Sequence, residues 1–474
     1  TSAAACQNQG INSVCASNGF VGTGGGWHHL KFSGVNIHGF RDNGFWLSGG
    51  GASSPDIAFE FIDSNIDGNG FSGWNADRCD NNGQCGFQGN ITFRRSTIRW
   101  NGCIEAYPVN AHADSKVGNL PTSNTCREGN NGGYGDGFGT SDSSGNWLFE
   151  DCIVSHNSSD GIDLLYLGRQ DRAAYGTNFS ITVKRMLAEG NNGAAVKGVD
   201  MYLEDSIIVG NCPFWASPNS YVASGAFSPC RASGAALSIV SSAPSKIAKF
   251  YNNTLVINGD LVFTNDSSRH PTGNNSTCTV DVRNNIIIGG FDFVSGGNGT
   301  FVAMYDAYDG VGNSSCLGGY IRTESHNTCY GGFKADSTYT CNGTGDSTAN
   351  PLFTGTLYLG TGTQGSASGY FTGLDYYKNF TLQPSSPVID QTTQTNAGDS
   401  LDYNSYDRGA TWDRGAVEYG STGSVTPSPD GATCLSNGAC SGGFCCYGKC
   451  SSTTCDVLPA TNKNKIRLHG TFGR

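Results

Sequence analysis

A short hydrophobic phrase recurs along the chain: an apolar residue, two others, a small or polar residue, one other, and usually a second apolar residue. It reads Phe32-x-x-Val35-x-Ile37, Phe61-x-x-Ser64-x-Ile66, Phe93-x-x-Ser96-x-Ile98 and Phe149-x-x-Cys152-x-Val154. It continues as Val183-x-x-Met186-x-Ala188, Leu203-x-x-Ser206-x-Ile208, Phe250-x-x-Asn253-x-Leu255 and Val282-x-x-Asn285-x-Ile287. The openings are 29, 32, 56, 34, 20, 47 and 32 residues apart. A phrase of fixed length joined by very unequal connections is what stacked coils with variable loops produce. Eight residues after each opening stand Phe40, Asn69, Asn101, Asn157, Asn191, Asn211, Asn258 and Gly290. Asn tolerates the left-handed conformation of a sharp turn, and its side chain can bond turn backbone or a stacked neighbour. The pattern therefore predicts an all-β chain: a parallel β-helix of short strands, with Asn69, Asn101, Asn157, Asn191 and Asn211 in line at ~4.8 Å per coil.

Composition agrees with that class. Glycine is 69 of 474 residues, about double the usual share. Charged residues are 14%, well under the usual ~25%. Twenty-five Phe, 20 Tyr and 7 Trp supply a core, which argues against disorder. The longest apolar runs, such as Ile286 to Ile288, are far too short to span a bilayer, so no membrane span is expected. The net charge of −11 argues against nucleic acid as a partner. Nineteen cysteines point to an oxidising, extracellular compartment. No basic segment leading into an apolar stretch stands at Thr1, so any export signal is expected to have been removed already.

The phrase Asn157-Ser-Ser-Asp160-Gly-Ile-Asp163-Leu-Leu resembles coil sequences of right-handed parallel β-helix repeat proteins of the pectate-lyase-like superfamily. A second set of segments resembles the end region of many secreted or surface β-helix proteins. These are Asn350-Pro-Leu-Phe353, Phe380-Thr-Leu-Gln-Pro-Ser-Ser-Pro-Val-Ile-Asp390 and Asp413-Arg-Gly-Ala-Val-Glu418-Tyr. The resemblance covers about residues 20–419 and implies a right-handed β-helix closed at its end by the second set; with an N-terminal cap the domain is expected to span 1–419. It implies no single function, because that fold carries lyases, hydrolases, adhesins and fibres alike.

Residues 420–433 are rich in Gly, Ser, Thr and Pro and read as a linker. Cys434, Cys440, Cys445, Cys446, Cys450 and Cys455 follow in a segment too short to bury a core, so cross-links must hold it. Zinc binding competes with that reading, against the adjacent Cys445-Cys446 pair and the secreted context. The spacing resembles a knottin, which implies the pairs Cys434–Cys446, Cys440–Cys450 and Cys445–Cys455. The odd number of remaining cysteines leaves at least one unpaired or bonded to another chain, and Cys152, at an inward position, reads as a buried free thiol. Cys6 with Cys15 is expected to close a cap; Cys103 with Cys126, and Cys329 with Cys341, are candidate loop staples. Residues 456–474 form a basic tail holding Lys463, Lys465, Arg467, His469 and Arg474, suited to self-association with an acidic neighbour.

Candidate chemistry concentrates between residues 103 and 163. A long insertion brings Glu105, Tyr107, His112, Asp114, Lys116 and Arg127, followed by Asp136, then Asp160 and Asp163 on the next coil. With Phe138 and Ile162 inward, alternation turns Asp163 outward, with Lys197 beside it on the following coil. Hydrolases act through carboxylates facing one groove. Lyases pair a base with Ca²⁺ or Arg at a uronate carboxylate. The catalytic candidates are thus His112, Asp114, Asp136, Asp163 and Lys197. Asp136 and Asp160 each precede Gly, which reads equally as a turn. Trp46 and Trp74, if on an outer face, could stack on sugar or pack under a loop. Asn265, Asn275, Asn298, Asn313 and Asn342 are the glycosylation candidates, while Asn157 is expected to be too buried. No clustered metal ligands or cofactor motif is evident, so no cofactor is expected, save Ca²⁺ for a lyase. The leading expectation is an extracellular structural or assembly protein, filament-forming or wall-associated. A secreted polysaccharide lyase or glycoside hydrolase, or a carbohydrate-binding adhesin, is the alternative.

Overall fold

The computed structural model describes residues 18–23, 29–40, 42–48, 58–76, 89–102, 135–140, 145–164, 167, 169–170, 174–175, 179–210, 236–240, 247–256 and 261–264. Further along it describes 278–288, 301–303, 320–330, 343–355, 379–393, 398, 400–420, 444–446 and 449–451. Three sheets of nine strands each run side by side, every neighbour parallel. Each rung gives one strand to each sheet in turn, so the chain is a parallel β-helix of nine rungs among the described residues. The first rung is Phe20–Thr23, His29–Ser33 and Asn36–His38; the ninth is Phe301–Ala303, Tyr320–Ser325 and Thr328–Tyr330.

The recurring phrase maps onto the second and third sheets. Its opening residue points inward from the second sheet and its last apolar residue inward from the third. Phe61, Phe93, Phe149 and Val183 stack in register, as do Ile66, Ile98, Val154 and Ala188. All eight are fully buried. Between the two strands the backbone turns through one left-handed residue: Asp63, Arg95, Asp151, Arg185, Asp205, Asn252, Asn284 and His326.

The asparagine column forms, and of the two devices expected it uses the side-chain bonds and not the left-handed turn. Asn69, Asn101, Asn157 and Asn191 are not left-handed; the residue before each, Gly68, Trp100, His156 or Gly190, is. The asparagines are instead held by their amides. Asn69 Nδ2 donates to Asn101 Oδ1 at 2.9 Å, Asn101 to Asn157 at 3.0 Å and Asn157 to Asn191 at 2.9 Å. Each amide also donates to a carbonyl of the previous rung, as Asn157 does to Ile98. Buried backbone and side-chain polar groups are thereby satisfied rung by rung. A second ladder runs at the small position of the phrase, through Asn253, Asn285, Asn327 and then Asp346. Asn211 and Asn258 lie outside the described residues.

Trp74 is a correction. It is fully buried, stacked 5.2 Å from Phe138 and edge-on to Phe59 and Phe93. It stands 13 residues after Phe61, as Phe45 stands after Phe32 and Ile162 after Phe149, the inward position of the first sheet. Trp46, one residue from buried Phe45, is half-buried on the outer side.

The segments expected to close the helix lie along its flank instead. Phe380, Leu382, Val388, Tyr403, Ala416 and Val417 form a second core against Leu187, Ile207, Val209, Val256, Ile286 and Ile288 of the third sheet. In those later rungs the third sheet is apolar on both faces, and the C-terminal strap covers the outer one. Within the cysteine-rich module the strands Phe444–Cys446 and Lys449–Ser451 pair antiparallel. Cys434, Cys440 and Cys455 lie outside the described residues.

Candidate functional site

The site is built where the first sheet meets the turn that precedes it. After Asn69, Asn157 and Asn191 the chain runs through a short turn into a first-sheet strand. Asp136 and Asp160 occupy this turn on successive rungs. Each tethers the backbone of the next rung: Asp136 Oδ1 accepts from Asp160 N at 2.9 Å, and Asp160 Oδ1 accepts from Ala194 N at 2.7 Å. The turn reading of both residues is therefore right. Strand pairing sets Gly139 opposite Asp163 and Asp163 opposite Lys197, all on the outer side because Phe138, Ile162 and Val196 face inward.

Lys197 bends back toward the turn. Its Nζ lies 2.5 Å from Asp160 Oδ2 and 3.6 Å from Asp163 Oδ2. The lysine and Asp160 side chains are 1% and 0% exposed, whereas Asp163 is 16% exposed. Carboxylate oxygens of Asp136, Asp160 and Asp163 come within 4.8 Å of one another. Asp136 is buried, yet its Oδ2 lies 3.0 Å from where a Cβ at residue 139 would stand. Glycine at 139 therefore leaves the room that the Asp136 carboxylate occupies.

Three of the five candidates are brought together: Asp136, Asp163 and Lys197. His112 and Asp114 lie outside the described residues, as do Asn265, Asn275, Asn298, Asn313, Asn342, Cys6, Cys15, Cys103, Cys126, Cys341 and the tail from 456 to 474. Asp160 joins as the buried partner of Lys197. A divalent cation such as Ca²⁺ would need these carboxylates as ligands, and the donor set does not suit it, because the Lys197 ammonium already balances Asp160.

A second acidic group, Asp390, Asp413 and Glu418, sits in the strap. Its work is fastening. Arg408, fully buried, donates to Asp205 of the helix at 2.9 Å and to Glu418 at 3.1 Å. Asp413 accepts from the Asp390 and Tyr419 amides. Burial pushes Glu418 up to about 8 against the opposing pull of Arg408, and burial raises Asp402 and Asp413 as well. This cluster was invisible in sequence, since Asp205 and Arg408 are 203 residues apart.

Cys152 is a buried free thiol, as expected. Cys329 is disulfide-bonded. No helix among the described residues is long and apolar enough to cross a membrane. No family model, curated protein or solved structure matches the chain.

Proposed function

We propose that the protein is a secreted glycoside hydrolase acting on a polysaccharide, with Asp163 and Asp136 as its working carboxylates. The observation that carries this reading is the convergence of Asp136, Asp160, Asp163 and Lys197 on one outer face of stacked strands. Glycosidic cleavage needs one carboxyl group to protonate the leaving oxygen and another to activate water or attack carbon. Asp163 is the more exposed and suits the proton donor. Asp136, with a carboxylate oxygen within 4.8 Å of one on Asp163, is spaced for the nucleophile of a retaining reaction and not for a base that activates water. Asp160 and Lys197 neutralise each other and hold Asp163 in place, so they act as positioning residues. The disulfide at Cys329 supports an oxidising compartment. The assembly reading rests on the charge of the tail in sequence.

The test is reducing-end release from a panel of neutral, amino and uronate polysaccharides. Asp163→Asn is expected to lower turnover on the accepted polymer by about 10²–10⁴-fold, with the β-sheet circular dichroism unchanged. Inactivity over the whole panel, or full activity of Asp163→Asn, overturns the reading. Unsaturated products would replace hydrolysis by a lyase reaction.

A further inference from the structure

Lys197 Nζ lies 2.5 Å from Asp160 Oδ2, and the two side chains are 1% and 0% exposed. They stand 37 residues apart in sequence, one on the sixth rung and the other in the turn leading into the fifth-rung strand. The contact therefore bridges two coils. An amine held against a carboxyl group is the reactant pair of an amide bond. Free in water, such a pair stays ionised and apart. Here the Asp160 carboxyl carbon is one bond beyond the contacted oxygen, within reach of the ~3–3.5 Å separation from which bonds form. Fixed positioning replaces the encounter that free groups would need. Burial acts in the same direction, because an ion pair held away from water is costly and condensation removes both charges.

The two oxygens of Asp160 have different partners. Oδ1 accepts the Ala194 backbone N–H at 2.7 Å, while Oδ2 faces the amine. A backbone donor at the retained oxygen stabilises the negative charge that builds there as nitrogen attacks carbon. Oδ2 is then the oxygen to leave, and it must be protonated. Asp163 Oδ2 is 3.6 Å from the same Nζ, and carboxylate oxygens of Asp160 and Asp163 lie within 4.8 Å of each other. Asp163 is thus placed to take a proton from nitrogen and deliver it to the departing oxygen.

We infer that Lys197 and Asp160 condense into an intramolecular isopeptide bond that ties the fifth rung to the sixth, with Asp163 as the proton carrier. The Nζ–Cγ bond forms and the Cγ–Oδ2 bond breaks. The ammonium gives up two protons, which leave with Oδ2 as one water, so the balance closes without an oxidant or co-reactant. The cross-link stands independently of the hydrolase reading, since it forms once per molecule and involves no turnover.

Peptide mass spectrometry of the native full chain, reduced, alkylated and digested with trypsin, tests this. Cleavage after Arg127 and Arg169 isolates Asp160, and cleavage after Arg185 and Arg231 isolates Lys197 once its own cleavage site is lost. The expected product is residues 128–169 joined to 186–231, lighter than the two peptides together by one water, with fragmentation placing the bond at Asp160 and Lys197. Lys197→Arg should give only separate peptides. The cross-linked fraction of Asp163→Asn, at equal time after synthesis, should fall about tenfold or more, with the β-sheet circular dichroism unchanged. Separate peptides with cleavage after Lys197 in the wild type overturn the inference, whether or not Lys197→Arg folds. A bond to Asp136 or Asp163 in place of Asp160, or an undiminished cross-linked fraction in Asp163→Asn, overturns it as well.

Discussion

Asn157 shows what one residue does in a stacked fold. Its amide donates to Asn191 and to Ile98 O, and its oxygen accepts from the amide and backbone of Asn101. Replacing it by Ala strands buried donors and acceptors on the two neighbouring rungs, where each unmet group costs about 1–3 kcal/mol. Asn157→Ala should therefore lower stability by about 2–4 kcal/mol, read as a shift in denaturant midpoint. Asn90, exposed and paired laterally with Asn146, should tolerate the same change nearly silently. Cys152 makes a second residue-scale case. Burial pushes its thiol up to about 12, and it donates to Glu150 O and Phe93 O. Thiolate is the reactive form. Native protein at pH 8 should leave Cys152 unlabelled by iodoacetamide, and denatured protein should label it, as peptide mass spectrometry would show. Both residues were legible in sequence by position. What was not legible was the backbone state of the asparagines, because an amide ladder and a left-handed turn prefer the same residue type.

At the scale of elements, the strap is the least legible part of the fold and the most sensitive to pH. Phrase spacing located the second and third sheets because their strands flank a turn of constant length. It missed the first sheet, because its 13-residue offset from the phrase, kept at Phe45, Trp74, Ile162 and Val196, is broken by long insertions before Phe138 and Leu237, and so Trp74 was misplaced. It also missed the ninth rung, whose phrase opens on Glu324 in place of an apolar residue. The Asp163–Lys197 neighbourhood could be read from alternation between adjacent rungs, whereas Asp160 gave no sign beyond a turn. Strap docking depends on buried Arg408 facing Asp205, Asp402, Asp413 and Glu418. Arg408→Met leaves those carboxylates unbalanced, and breaking such a buried pair costs about 3–5 kcal/mol. Glu418 has a folded value raised above its unfolded one, so the folded strap holds its proton more tightly. That contribution is complete below pH ~4.5 and is lost as pH rises through about 8. Limited proteolysis should release the strap more readily at pH 9 than at pH 6, and Glu418→Gln should flatten that difference.

For the whole molecule, the nine rungs are stabilised in two ways that divide along the axis. The first four rungs hold a nearly continuous aromatic stack: Phe20, Phe32, Phe45, Phe59, Phe61, Trp74, Phe93, Phe138, Trp147 and Phe149, with ring centroids mostly 4.5–6 Å apart. The later rungs are mainly aliphatic inside, and the strap adds a second core outside, from Leu187 on the fifth rung to Ile288 on the eighth. Arg414 extends the strap's contacts to Asn327 O and Thr328 on the ninth. In a solenoid each rung touches only its neighbours, so stability is a sum of local terms and can differ along the axis. Loosening the strap should then act regionally. Hydrogen exchange of Arg408→Met, compared with wild type, should show faster exchange in the third-sheet strands Leu187–Glu189, Ile207–Val209, Thr254–Val256 and Ile286–Ile288. Exchange in Asn65–Asp67 and Thr97–Arg99, which the strap does not contact among the described residues, should be unchanged. Uniform acceleration through all nine rungs would mean that the helix unfolds as one cooperative unit and that the aromatic stack has no independent stability. The division also bears on the candidate site, since Asp136, Asp163 and Lys197 sit on the fourth, fifth and sixth rungs, where the two regimes meet.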